Sequence, residues 1–214
     1  NAGLMPGDIY RGEIIGKDQF RQSGIHDLFD SSSVWDKVAV NNHYVENFNM
    51  PLEKLINLIN RSNNYESQAQ LANFVDMEAW GRFSAYESLT QSKHTDRFHN
   101  WRLYYDSWRG KFVPVVWDTM GWLEPFRGAP ILPEMITNRL MEALFKNGDF
   151  IRSRSRALKG FFESGTDQLF LQTVSETIKT MEGEVHTDPL LFPAKPALVV
   201  RRMRQLEKLI SKVF

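Results

Sequence analysis

"HTDRFHNWRLYYDSWRGKFVPVVWDTMGW", residues 94–122, passes from a polar cluster into a two-residue alternation, turns, and alternates again. Trp101, Leu103 and Tyr105 fall on one face, "DSWRG" turns the chain, and Val113, Val115 and Trp117 alternate on the return. The pattern predicts a β-hairpin over 100–118. Pro114 cannot donate to a ladder, so one edge of that hairpin is expected to be free. Two aspartates bracket it. Asp96 stands among His94, Arg97, His99 and Asn100, where a turn role is the ordinary reading of an Asp shortly before an Asn. Asp118 closes the run Val115, Val116, Trp117, where a carboxylate needs a partner to offset its desolvation. A hairpin brings the entry to its first strand beside the exit from its second, which makes Asp96, Asn100 and Asp118 candidate neighbours in space.

Upstream, "MPLEKLINLINR" has Pro51 in a first turn and Leu52, Leu55, Ile56 and Ile59 on one helical face. Asp76 precedes "MEAWGRFSAYESL", whose Ala79, Trp80, Phe83, Tyr86 and Leu89 recur at helical spacing, so it reads as an N-cap. Before these helices, "DIYRGEIIG" and "SSVWDKVAV" gather β-formers around the loop-like "RQSGIHDLFDSSS". The strand from Tyr10 to Ile15 has no partner before it, and the chain starts without Met, so a piece cut from something longer is expected. Downstream of Gly128 helices are predicted at about 134–146, 149–163, 167–182 and 196–213, with "HTDPLLFPAKP" as a connector. In the last helix Val199, Met203, Leu206, Ile210 and Val213 form a stripe that leaves Arg201, Arg202, Arg204 and Lys208 on a solvated face. The layout is α+β: a β region over 1–46, then a mainly helical part over 47–214 that carries the hairpin.

Composition narrows the function classes. With 214 residues and 42% hydrophobic content the chain can bury one substantial core. Lys plus Arg (26) equals Asp plus Glu (26), so no overall field draws it to nucleic acid or to an anionic membrane. Without cysteine there is neither a disulfide framework nor a thiolate metal site, and the compartment stays open. No apolar run approaches the ~20 residues of a transmembrane helix, and the first ten residues lack the basic and apolar regions of a signal peptide.

Phosphoryl transfer from a metal-bound nucleotide asks for one carboxylate to accept the proton of the substrate hydroxyl, and for an amide and a second carboxylate to hold Mg²⁺ against the phosphates. Magnesium takes few protein oxygens, which suits Asn100 and Asp118. Two other classes use the same residues differently. A glycosidase would employ the carboxylate pair with neither nucleotide nor metal, and a binding or structural protein would keep the frame without the chemistry. His94 and His99 with Asp96 match no helical zinc-ligand spacing and lack a third histidine nearby, so they read as solvent-facing. Trp80, Trp101 and Trp117 read as core by their spacing.

At these residues the chain resembles the CotH kinase family, the spore-coat protein H group of atypical protein kinases. "FVDMEAWGRFSAYESLTQSKHTDRFHNWRLYYDSWRGKFVPVVWDTMGW", residues 74–122, is similar to that family's succession of Asp, aromatic helix, Asp, Asn-aromatic-x-Leu-Tyr strand, Gly-Lys-Phe-x-Pro return and Trp-Asp. A weaker likeness continues on both sides, through "DIYRG", "KLINLIN" and "ALFKNGDFIRSRSRAL". The resemblance implies a kinase-like fold whose upstream N-lobe portion lies outside the chain. It implies transfer of phosphate from ATP, with Mg²⁺ or Mn²⁺, to Ser or Thr of a coat, secreted or surface protein. Asp96 would be the catalytic aspartate, Asp118 a metal and cofactor ligand, and Asn100 the second. Many members read Trp-Asp-x-Asp where this chain has Trp117, Asp118, Thr119, Met120, and Arg11 stands where a Lys is common. The first departure replaces a hard carboxylate with a thioether; the second keeps the charge but not the geometry.

Overall fold

The computed structural model describes residues 7–16, 18–38, 49–118, 128–188 and 196–212. Strand β1 (Asp8–Gly12) is followed by the short helix α1 (Asp18–Gln22), a 3-10 turn at Ser32–Val34, and β2 (Trp35–Lys37). Helices α2 (Met50–Asn60), α3 (Tyr65–Phe74) and α4 (Met77–Thr90) lead to the hairpin, β3 (Trp101–Asp106) and β4 (Lys111–Pro114). Then come α5 (Arg139–Leu144), α6 (Gly148–Glu163), α7 (Thr166–Thr187) and α8 (Pro196–Ile210). The architecture is α+β, a four-stranded antiparallel sheet of order β2-β1-β3-β4 beside a mainly helical remainder.

β1 takes partners on both its edges from downstream: Tyr10 lies opposite Lys37 of β2 and opposite Leu103 of β3. The sheet thus joins strands from both sides of residue 46. β4 is the outer strand and its pairing ends at Pro114, whose nitrogen faces the outer edge, since the Val115 N–H still donates to the Arg102 carbonyl at 3.2 Å. That edge is covered in part, because the Phe112 carbonyl accepts the Asp76 N–H at 2.9 Å and the Trp80 indole N–H at 3.1 Å. The alternation predicted to run through Trp117 stops earlier. Val116 and Trp117 lie beyond the strand and are exposed, so Trp117 is not core; the Arg102 guanidinium covers its ring at 4.5 Å.

Trp101 sits at the centre of the core. Its ring meets Phe29 edge-on at 5.2 Å, with Trp35 at 6.2 Å and Trp80 at 6.3 Å, so one side chain joins β2, β3, the 27–30 turn and α4. The buried indoles are also satisfied as donors, Trp35 to the Leu28 carbonyl at 2.7 Å and Trp101 to the Asp96 carbonyl. This last bond ties the backbone of the Asp96 turn to the core.

Asp76 caps α4, accepting from the Ala79 N–H at 3.0 Å, as its place ahead of the periodic run predicts. α3 is absent from the periodicity reading because "YESQAQLANF" buries only Leu71 and Phe74; its signal is the Asn64 cap, which accepts from the Glu66 and Ser67 N–H groups. The helix predicted at 134–146 contracts to α5, capped by Asn138 on the Met141 N–H at 2.9 Å. α7 instead continues five residues past the predicted 182, to Thr187. α4 packs on α6 at Gly81, where an added Cβ would stand 2.6 Å from the Ser153 side chain. Among the described residues no helix is long and apolar enough to cross a membrane.

Candidate active site

The loop 91–100 between α4 and β3 and the residues that follow β4 meet at one end of the sheet, and the candidate residues gather there. Asp96 uses Oδ1 to accept three hydrogen bonds, from the Phe98 N–H at 2.7 Å, the His99 N–H at 3.0 Å and His99 Nδ1 at 2.8 Å. The backbone bonds are those of a turn-forming aspartate. The third makes an Asp–His pair: a carboxylate only accepts, so Nδ1 carries the proton, and in the neutral ring Nε2 keeps its lone pair.

His94 performs the joining. Its Nδ1 donates to the Asp118 carbonyl at 2.8 Å and lies 3.7 Å from Asp118 Oδ2. The Asn100 Nδ2 is 3.0 Å from each ring nitrogen; with the Nδ1 proton directed at a carbonyl, Nε2 is the nitrogen that accepts it. The two rings meet edge-on with centroids 4.7 Å apart. Asp96, His99, His94, Asn100 and Asp118 therefore form one contiguous polar chain. The histidines are half-buried inside it rather than facing solvent, which corrects their sequence reading.

Asn100 (φ 63°) and Asp118 (φ 44°) are two of the three non-glycine residues in the left-handed region among those described. Asn and Asp tolerate that region better than other residues, and strained backbone concentrates where a surrounding structure holds functional groups in place. Asp118 is not desolvated as its position after an apolar run predicts: its side chain is 52% exposed, because the strand has ended and the chain has turned outward. Arg102, on β3, has its pKa lowered chiefly by burial and then by Arg11, while Glu13 and Asp118 oppose the shift. Arg11 is held by Asp36 at 2.6 Å, an exposed pair across β1 and β2. Thr119, Met120 and Trp122 lie outside the described residues.

Beneath the loop, α4 buries a polar stripe that periodicity reading missed. Glu87 is fully buried, and burial pushes its carboxyl up to about 8, against the Thr95 side chain, which favours the ionised form. Neither carboxyl oxygen has a geometrically sound hydrogen-bond partner, and the Ser84 and Ser92 hydroxyls beside it in sequence are buried in the same condition. The signal was present: Glu87 follows Trp80 by seven residues and Phe83 by four, in phase with the apolar face. Asn138 and Thr137 fix the loop from the other side, both donating to the Thr95 carbonyl.

As oxygen donors, the Asp118 carboxylate and the Asn100 amide fit a hard cation that keeps several of its waters. Among the described residues no group of three or more His, Cys, Asp or Glu side chains converges as a metal centre. No protein-family model matches the chain, and no curated protein matches it.

Proposed function

We propose that the chain is a kinase-like phosphotransferase that moves the γ-phosphate of ATP to a Ser or Thr hydroxyl of a protein, with Asp96 as the proton acceptor and Asn100 and Asp118 as ligands of Mg²⁺ or Mn²⁺. One observation carries the reading: residues from the two ends of the hairpin, Asn100 and Asp118, meet on the same imidazole, next to an Asp–His pair. In phosphoryl transfer the protein mostly positions groups and stabilises charge, and a divalent cation bound at such a site neutralises the phosphates. The chain's own contribution is to hold an acceptor-only carboxylate in a turn tied by Trp101 and to gather Asn100 and Asp118 on His94, whose ring meets that of His99. His99 fixes the direction of the Asp96 carboxylate through Nδ1.

The test is transfer of labelled phosphate from ATP to a Ser- and Thr-containing protein mixture. Asp96→Asn is expected to bind nucleotide as the unsubstituted chain does and to lose transfer by about 10²-fold or more, the usual loss when a positioned base is removed. Equal transfer by the two proteins removes Asp96 from the reaction.

A second reading, a kinase-like binding or structural protein without catalysis, is favoured by the same Asp96 Oδ1, whose three bonds amount to a complete structural role. It requires that Asp96→Asn leave every measured function unchanged while Asp96→Ala unfolds the turn. No observation favours the glycosidase alternative.

A further inference from the structure

The turn that holds Asp96 also builds the wall of a cleft of ≈ 670 Å³, formed by residues within 14–16 and 18–26 on one side and Arg97 and Phe98 on the other. The two sides are one hydrogen-bonded unit, since the Ile14 N–H donates to the Phe98 carbonyl at 2.8 Å and the Leu28 N–H to the Arg97 carbonyl at 2.9 Å. Ile14, Phe20, Ile25 and Phe98 are half-buried and line the cleft with apolar surface. Arg21, His26 and Arg97 are exposed around it; among the described lining residues Asp18 is the one carboxylate, and the buried Asp27 lies near enough to Arg97 for the two charges to interact. The Arg97 guanidinium lies over the Phe98 ring at 4.7 Å, an arrangement that orients the planar fork and leaves its N–H edges for an anionic group. Local charge matters here because the chain as a whole has net charge +0 and supplies no general attraction.

We infer that this cleft docks an extended acidic segment of the protein substrate. An Asp or Glu of that segment pairs with Arg21 and Arg97, an apolar side chain rests on Phe20, Ile25 and Phe98, and the acceptor hydroxyl is thereby brought to the adjoining Asp96 turn. Delivery to Asp96 rests on the phosphotransferase reading; the preference for an acidic segment does not. A charged rim over an apolar floor gives both steering and register, which is how short segments are selected by sequence.

Fluorescence anisotropy decides it, using a labelled peptide in which Glu and Leu flank a Ser, and a second in which each Glu is replaced by Lys. The acidic peptide is expected to bind about fivefold or more tightly than the Lys peptide, with the difference shrinking as salt is raised, as screening of exposed charges requires. Arg21→Glu is expected to abolish that preference and Arg21→Lys to keep it; Arg21 is exposed on α1, so neither change disturbs the core. Equal binding of the two peptides, or a preference unaltered in Arg21→Glu, overturns the inference. Offering the same peptides with Mg·ATP separates it from the reading beneath it. Acidic peptide bound but not phosphorylated supports the docking and counts against the phosphotransferase, whereas phosphate passed to peptides that bind alike overturns the docking alone.

Discussion

Removing the Asp96 side chain deprives two backbone N–H groups and the His99 ring of one shared acceptor. Asp96→Ala is therefore expected to lower stability by about 1–3 kcal/mol, the cost of leaving partly buried donors unmet, while Asp96→Asn keeps an Oδ1 acceptor and loses less. Urea unfolding of the two variants reads the difference. Glu87 poses the opposite problem, an acid held neutral by burial with its carboxyl near 8. Because its folded value lies above the ordinary carboxylate value, its contribution to stability is complete below about pH 4.5 and fades as pH rises through about 8. Glu87→Gln has no proton to lose, so it is expected to flatten the stability profile across that window and to be the more stable protein at its alkaline end. Melting curves of the pair from acid to alkaline pH check this; parallel curves would mean that Glu87 is ionised in the folded chain. Asp76 runs the other way: burial alone would raise its carboxyl, but the Ala79 N–H and Arg109 hold it below the usual range. Its stabilisation is present above the ordinary value and lost only as pH falls through the depressed one.

At the scale of elements, α4 fits closely against α6 at Gly81. A methyl group at Gly81 would meet Ser153 Cβ and Oγ at 2.6 Å and the Arg154 backbone nitrogen at 2.7 Å. Those atoms belong to a helix backbone and a short side chain, neither of which yields easily, so Gly81→Ala is expected to destabilise the fold by about 1–3 kcal/mol despite the better helix propensity of Ala. Thermal unfolding tests it, and an unchanged melting temperature would show that α6 moves freely. The elements most legible in the sequence were those with a strong period or cap, α2 by its Leu and Ile face and α4 by Asp76. α3 escaped because its short apolar face needs only Leu71 and Phe74 once α2 and the sheet shelter it. The return strand was read three residues too long, because Val115 and Trp117 continue an alternation that the sheet no longer uses after Pro114.

For the molecule as a whole, the proximity of Asn100 and Asp118 was legible in the sequence, and the part that the histidines play in it was not. Hairpin pairing is a sequence-level inference, and it correctly placed Asn100 and Asp118 together. Which side chains bridge them depends on loop geometry, and His94 and His99 carry no periodic signal. The expected desolvation of Asp118 failed for a related reason, since exposure is decided by where the strand stops. The central claim is that this cluster binds a metal–nucleotide complex through Asp118. The most direct measurement is the melting temperature of the chain titrated with ATP in the presence of Mg²⁺ or Mn²⁺, alongside Asp118→Asn. Ligand that binds only the folded state raises the midpoint by mass action, by an equivalent of about 2.7 kcal/mol at a hundredfold excess over Kd. The account predicts a rise that requires the cation and disappears in Asp118→Asn, whose neutral amide is a poorer partner for a hard ion. An equal rise in both proteins, or no rise in either with cation and ATP present, would contradict it.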